Sequence, residues 1–462
     1  MLQELGLTAI LIVLLIAKLM EAEKSFSKVY ALVLTLLAAH TALAFLYNTS
    51  GVLFSGMYFN TALIGFEKGL LALGTLLICM QAGTWLNNHK HGIEFFMLLI
   101  ATLMGMEYVL SAGNMLMFYL GLELSTIPLA ALCNFELEKR KSSESAMKLI
   151  LSSAFSSGIL LFGISMLYGA TGSINFIEIS RNFMGTEMEM LALIFIFSGF
   201  AFKIAVVPFH FWTADVYEGA PIPVTSFLSV ISKGTMIFAL TTMLYRVFGA
   251  YAALWYNVLF VAAAITMTLG NLFAMRQSNI KRFLAFSSIT QAGYLLLGLS
   301  AASGEGAASV VYFMLIYIFS NLGAFGVLAL VSSATGKEDI HDFKGFYKNN
   351  PILSWVFALS LFSLAGIPPT AGFFGKLFLI TAGASRFNLP FLIIAALNMV
   401  ISLFYYLKLV RAMLVDQQDE PLPPIATPFF AKIALFICMA GVLITGLFGH
   451  VYEYIHTLTS GF

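Results

Sequence analysis

Read in windows of about 20 residues, the length at which an α-helix crosses a bilayer, the chain is a succession of apolar runs separated by short polar joints. Fourteen such segments are predicted, over 2–19, 27–47, 64–86, 92–111, 113–133, 143–170, 188–212, 224–247, 254–274, 282–300, 307–333, 351–381, 388–415 and 429–449. No long polar stretch interrupts them. The pattern therefore predicts an all-α polytopic membrane protein, one membrane domain over 1–462. The first run, Met1 to Lys18, has no basic region ahead of it and no small-residue cleavage site after it. It reads as a retained helix, not a removable signal.

Two segments are interrupted. The seventh contains Phe202-Lys203-Ile204-Ala205-Val206-Val207-Pro208-Phe209-His210, and the twelfth contains Leu364-Ala365-Gly366-Ile367-Pro368-Pro369-Thr370-Ala371-Gly372 followed by Phe373-Phe374-Gly375-Lys376. Proline removes a backbone donor and clashes with the preceding turn. Inside a membrane such a break survives only where protein or a hydrated cavity takes up the freed groups. Grouped as segments 4–8 and 9–13, the broken segment is fourth in each set, and an odd count makes the second set enter from the opposite face. That is the topology of an inverted repeat, in which interrupted helices mark an ion path. The expected organisation is three leading helices over 1–90, repeat one over 91–248, repeat two over 249–416 and a closing helix within 417–462.

Composition sharpens this reading. The chain is 60% hydrophobic and 10% charged, against roughly a quarter charged in soluble domains. A net charge of +1 offers no field for a nucleic acid. Cys79, Cys133 and Cys438 lie far apart in apolar runs, without a Cys-x-x-Cys spacing, so neither metal clusters, covalent haem nor a disulfide framework is expected. Seventeen Lys and Arg, among them Lys18, Lys24, Lys90, Lys139, Arg276 and Lys432, fall in the connections of one face; Lys68, Arg181, Arg246 and Arg386 fall on the face of the termini. The positive-inside rule then places both termini outside the cytoplasm.

The remaining basic residues, Lys203, Lys233 and Lys376, lie inside apolar segments, where a lysine costs about 2.5–3.5 kcal/mol on insertion scales. Glu123 lies mid-way along the fifth segment. A carboxylate and an ammonium in apolar surroundings hold each other charged when close and lose that support when separated. Movement of a Glu123–Lys203 pair thus becomes a change in proton affinity, with Lys233 and Lys376 passing protons along a hydrated polar row. The competing reading is a set of buried ion pairs that fix packing. His210, two residues after Pro208, either relays protons or caps a carbonyl freed by the break. Glu107, about a turn from the end of its segment, is an outlet group or an interfacial acid that snorkels. Glu144 and Lys148, four apart, suit a local pair with an entry role open. Asp215 and Glu218, read as a loop, are inlet groups, or else shape the loop or contact another subunit. Lys281-Arg282 is read as a positive-inside anchor, and Tyr294 and Gln291 as water-lining or neighbour-satisfying groups.

Several stretches together resemble one family. They are Gly121-Leu122-Glu123-Leu124, FKIAVVPFHFWTADVYEGAPIP over 202–223, Ser232-Lys233, GNLFAMRQSNIKRFLAFSSITQAGYLLL over 270–297, Asn321-Leu322-Gly323-Ala324-Phe325, and LAGIPPTAGFFGK over 364–376. The set is similar to the subunit N family of bacterial respiratory complex I (NADH-quinone oxidoreductase), an antiporter-like family related to mitochondrial NADH dehydrogenase chain 2. The likeness runs from about segment 3 to segment 13. It implies fourteen helices with inverted repeats, and proton-path roles for Glu123, Lys203, Lys233, Lys376 and His210. It implies a translocase subunit without substrate chemistry or cofactor of its own. Flavin, iron–sulfur clusters, the NADH site and the quinone pocket (ubiquinone or menaquinone) would belong to partner subunits. The implied setting is the bacterial inner membrane, among other antiporter-like and small membrane subunits, with the NADH-oxidising arm an indirect partner. Two positions depart from the pattern: Thr290-Gln291-Ala292-Gly293-Tyr294 replaces Ser-His-x-Gly-Tyr, and Glu107 stands where an apolar residue is expected. The alternatives are a subunit of a multi-chain sodium/proton antiporter, or a membrane chain of a related hydrogenase or ferredoxin-fed complex.

Overall fold

The computed structural model describes residues 1–20, 26–47, 50–87, 89–384 and 389–461; Lys24 and Arg386 of the charge tally lie outside them. In chain order the elements are α1 (Leu2–Leu19), α2 (Phe26–Leu46), a hairpin of β1 (Gly51–Leu53) and β2 (Tyr58–Asn60), α3 (Ala62–Leu86), α4 (Gly92–Leu110), α5 (Met115–Cys133), α6 (Arg140–Thr171), α7 (Phe176–Asn182), α8 (Glu187–Ile204) and α9 (Phe211–Gly219). There follow α10 (Ile222–Arg246), α11 (Ala252–Ala274), α12 (Ile280–Ser300), α13 (Gly304–Thr335), α14 (Pro351–Ala365), α15 (Ala371–Ala384), α16 (Leu389–Leu414), α17 (Phe429–Leu447) and α18 (His450–Thr459). Twelve of these helices are long and apolar enough to cross a membrane, and the chain is a multi-pass membrane protein. The predicted segments and the helices agree to within a few residues. Segments seven and twelve are each divided in two.

Local chemistry starts and stops the helices. Thr61, Asn114 and Asn279 accept hydrogen bonds from Ile64, Met117 and Arg282 N–H, the N-cap arrangement. Thr186 and Glu189 close a capping box at the start of α8. Helix α10 carries one π-helical turn, Leu228–Ser232, just before Lys233. Within the bundle α12 is buried apart from Arg282, and α10 and α13 nearly throughout. Helices α1, α6 and α11 turn residues such as Leu15, Phe155 and Val261 outward, as a lipid-facing surface requires. Helices α4 and α5 touch backbone to backbone: a Cβ on Gly105 would lie 2.5 Å from Ser125 N, and one on Gly121 2.9 Å from Val109 N.

Both breaks use the same backbone device. Ala205 (φ +65°) and Gly366 (φ +86°) adopt the left-handed conformation, and the next N–H, of Val206 or Ile367, reaches back to Ala201 O at 2.8 Å or Phe362 O at 3.0 Å. This is the 6→1 bond of a Schellman ending. Three corrections to the sequence reading follow. Asp215 and Glu218 are on a helix, α9, because the chain resumes helical hydrogen bonding directly after the Pro208 turn. Lys68 is no connection residue: it is fully buried in α3. Lys281 is no free anchor either, being buried with its ammonium 3.3 Å from Glu338 and donating to Ala220 O.

Candidate functional site

Around the first break, Lys203 on the last turn of α8 is enclosed. Its ammonium donates to Thr126 Oγ1 at 2.6 Å and Ser153 Oγ at 2.9 Å. Thr126 lies three residues after Glu123 on α5, so both sit on one side of that helix. The two charged groups are not in contact. Glu123 is near enough for its charge to act on Lys203, yet its Oε1 is buried without a hydrogen-bond partner. The structure thus holds the lysine on hydroxyls and leaves the carboxylate waiting.

A cavity of about 10 Å³ lies against Lys203, lined also by Thr126, Ser232, Thr235 and Met106, about the volume a single water needs. Beyond it is Lys233, buried, donating to Ser288 Oγ at 2.7 Å and lying 5.6 Å from the centre of the Tyr217 ring. The neighbouring Ser287 is hydrogen-bonded to Tyr406. Gln291 Nε2 donates to the Tyr406 hydroxyl at 3.3 Å and to Leu364 O at 3.1 Å. Leu364 O also accepts from Lys376, at 2.7 Å, and Ala365 O accepts from the same ammonium at 3.2 Å. The three lysines therefore stand along one buried polar row across the middle of the bundle. Gln291 cannot change charge; it holds the carbonyl that holds Lys376. Tyr294 donates to Ala395 O at 3.1 Å and sets its ring 5.0 Å from Lys376, which makes it a wall of the lysine site.

His210 begins α9, nearly buried, with Nδ1 unpartnered and its ring against Phe211 and Phe273. The carbonyl of Phe202, which accepts from Ala205 N–H at 3.0 Å, also accepts from the Trp212 indole at 3.0 Å. At the near face of the membrane, Lys148 pairs with Glu144 and with Asp215, each at 2.7 Å, so the expected local pair is present and extended. Arg282 bridges Asp215 and Glu218 at 2.7 and 2.9 Å. Burial pushes the Asp215 carboxyl up, but hydrogen bonds from Lys148 and Arg282 outweigh it and hold it below its ordinary range. Glu218 is lowered in the same way, by Lys141 and Arg282 against burial. Beside this network a polar cleft of about 420 Å³ opens, lined by Glu136, Lys139, Lys141, Glu218, Lys281 and Glu338.

The sequence reading missed the hydroxyl partners Thr126, Ser153 and Ser288. It also missed a second charged group at the far end of α1–α4, where Glu4 pairs with Lys68 and His40 with Glu107. Glu107 does not snorkel: it is fully buried. The available signal was Glu4, Glu67 and Lys68 standing inside apolar segments. No group of three or more His, Cys, Asp or Glu arranged to hold a metal occurs among the described residues.

A helical membrane bundle with two interrupted helices and a buried lysine beside each break is of the antiporter-like class. The family model described as NADH:quinone oxidoreductase/Mrp antiporter, TM, matches residues 112–402. A protein of Phocaeicola vulgatus named NADH-quinone oxidoreductase subunit N is 44% identical over 97% of this chain and 96% of its own length. A chain of respiratory complex I from Thermus thermophilus with bound Aureothin superposes with a TM-score of 0.83 at 27% identity, covering 98% of both chains. A chain of the Mrp complex from Dietzia reaches a TM-score of 0.88 at 19% identity, over 99% of this chain and 96% of its own, which is a likeness of fold alone. The chain belongs to the NADH:quinone oxidoreductase/Mrp antiporter family, in its subunit N branch.

Proposed function

We propose that the chain is a proton-translocating membrane subunit of NADH:quinone oxidoreductase and that Lys203, Lys233 and Lys376 carry the protons. The membership in the subunit N branch supports the first part. The observation that carries the second is the set of buried polar contacts at Lys203, Lys233 and Lys376, in which each ammonium is held by neutral oxygens and, among the described residues, none by a carboxylate within ion-pair distance. A lysine held this way can give up its proton without leaving an unpaired carboxylate in contact, which suits a carrier better than a packing element. Flavin, iron–sulfur and quinone chemistry belong to partner subunits of the assembled complex, in the inner membrane of a bacterium, with other membrane subunits as neighbours.

Movement driven from a partner subunit turns Lys203 from Thr126 and Ser153 toward the unpartnered Glu123 oxygen and back. Each excursion changes how firmly the lysine holds its proton. Protons enter through the polar cleft near α9 and α10, and Glu144, Lys148 and Asp215 lie beside that entry. His210, its Nδ1 free, serves as an added relay near the first break. The fourteen crossings are the twelve long helices, α8 with the broken turn that follows it, and the pair α14–α15. The two five-helix groups are an inverted repeat, a reading supported by the shared backbone device at Ala205 and Gly366. Both termini lie on the non-cytoplasmic face.

The test is NADH-driven proton uptake in vesicles carrying an assembled complex with Lys203→Ala. Removal of a positioned proton carrier is expected to slow uptake about 100-fold or more, with quinone reduction falling alongside. Unchanged uptake and NADH oxidation in the assembled complex would sink the reading.

A further inference from the structure

Beside the first break an apolar groove of about 640 Å³ runs between α8 and α11. One wall extends from Met190 to Ala201 on α8 and the other from Leu254 to Ile265 on α11. At 1.5 Å per residue each wall is about 16 Å long, about half of a hydrocarbon core that is about 30 Å thick. The floor is the break itself, Val206 to Phe209, and Leu244 of α10 lies behind. Leu254, Val258, Val261 and Ile265 follow one another at helical spacing along α11 and are exposed, as is Ile194 on the opposite wall. Ser198 does not spoil the apolar lining, because its hydroxyl donates to Ile194 O at 2.8 Å.

The two ends of the groove differ. Where α8 and α11 begin, Trp255 lines it and donates its indole N–H to Phe248 O at 3.0 Å. Tyr251, one turn earlier, donates to Phe183 O at 2.7 Å. Aromatic rings with a polar tip gather at the membrane–water boundary, so this end lies at that boundary. Asn257 adds an exposed amide to the wall near the same end. At the other end Pro208 is exposed. Irregular backbone that faces hydrocarbon must present no unpaired donor. Proline has no N–H to leave unpaired, and the Val207 N–H is taken by Thr266 Oγ1 of α11 at 3.1 Å. The exposed turn of the break is thus finished for contact with an apolar chain.

We propose that the groove binds one acyl chain of a phospholipid from the leaflet at whose surface α8 and α11 begin. The methyl end of the chain rests on Pro208 and Phe209, and an ester carbonyl accepts from the Asn257 amide. Three observations select this occupant. The groove is continuous with the lipid-facing surface of α11 at Val261. Its length matches one leaflet. Its rim carries large aliphatic side chains in place of the glycine, alanine and serine through which membrane helices close on one another, which disfavours a partner helix. The bound chain covers the exposed turn of the first break, and this holds whichever residues carry the protons.

The experiment places the assembled complex in phospholipid vesicles doped with phosphatidylcholine that carries a photoreactive diazirine, either at the end of one acyl chain or next to its ester. After illumination the labelled peptides are identified by mass spectrometry. The chain-end probe is expected on 206–209 and 261–265, and the ester-side probe on 251–258. In Ala262→Phe, which fills the groove, chain-end labelling of 206–209 should fall about 10-fold or more, while labelling of the exposed surface of α6 at Phe162 stays unchanged. If Ala262→Phe does not assemble, Val258→Phe, at the exposed rim, is read the same way. The proposal is overturned if both probes label the same residues, if labelling persists in the filled variants, or if the groove peptides stay unlabelled. Loss of labelling on adding a quinone with a long isoprenoid tail would assign the groove to that tail and overturn it as well.

Discussion

The two interrupted helices solve one backbone problem in the same way and then diverge in what they do with their lysines. At the first break Lys203 precedes the left-handed residue, and its ammonium binds only side-chain hydroxyls, while the carbonyl of Phe202 is held by Ala205 N–H and the Trp212 indole. At the second, Lys376 follows the break and binds the freed carbonyls of Leu364 and Ala365 directly. Satisfying the backbone and holding the ammonium are therefore separate at Lys203 and one and the same at Lys376. The first lysine is held by side chains alone, with Glu123 near enough to act on its charge. The second is fixed by the backbone it repairs.

The largest expected effect breaks the comparison at its functional end. Lys203→Met and Lys376→Met are each expected to reduce proton uptake by the assembled complex about 100-fold. They should differ in stability. Lys376→Met strips the ammonium from two buried carbonyls, at about 1–3 kcal/mol for each group left unsatisfied, although Gln291 still serves Leu364. Lys203→Met frees no backbone group. Thermal unfolding of the complex in detergent should therefore show a lower midpoint for Lys376→Met only. Equal midpoints would remove the distinction drawn here.

The next effect concerns the left-handed residues. Gly366→Ala places a side chain at φ +86° with its Cβ 3.2 Å from Lys376 Cδ. A loss of about 1–2 kcal/mol is expected, together with displacement of the lysine and slower proton uptake. Ala205→Gly relieves a similar strain but adds freedom to the unfolded chain, about 0.4–1 kcal/mol, so its stability should stay near wild type. A Gly366→Ala complex as stable and active as wild type would show that the second break has room it lacks here. Trp212→Phe belongs lower on the scale. It keeps the packing against Phe202 but removes the indole donor from Phe202 O, for about 1 kcal/mol, and it should leave proton uptake nearly unchanged if backbone repair is separate at this break.

Legibility in the sequence followed the strength of each physical signal. Long apolar runs and prolines mark membrane helices and their breaks strongly, so the segments and both interruptions were readable, as were lysines stranded in apolar surroundings. Helix α9 was not, because its nine residues are too short to show a period and carry polar residues suited equally to a loop. Glu4 and Lys68 were hidden by position: close to segment ends, they resemble interfacial charges, and only packing shows that α1 and α3 bury them against each other. Hydroxyl partners such as Thr126, Ser153 and Ser288 carry no sequence mark, since serine and threonine in membrane helices usually bond their own backbone. Glu107 departed from the family pattern visibly, but its partner, His40, lies 67 residues away, and no spacing connects them.

The smallest effect sharpens the contrast at the membrane face, where the first break is braced and the second is not braced in this way. Asp215 and Glu218 on α9 are tied to Arg282 at the start of α12, and through Lys148 and Lys141 to α6. Their carboxyls are held below the ordinary range, so the sign is fixed: the folded state binds these protons less readily than the unfolded state. The stabilisation is fully present above the unfolded carboxylate value near 4. It is lost as pH falls through the lowered folded values. Because these groups are partly exposed, screening keeps the effect small. Arg282→Gln should remove part of it, lowering the unfolding midpoint slightly at neutral pH and flattening the decline in acid. The same decline in wild type and Arg282→Gln would mean that α9 is held by packing alone, and that the ion network at the mouth of the first break is free to serve proton entry without any structural duty.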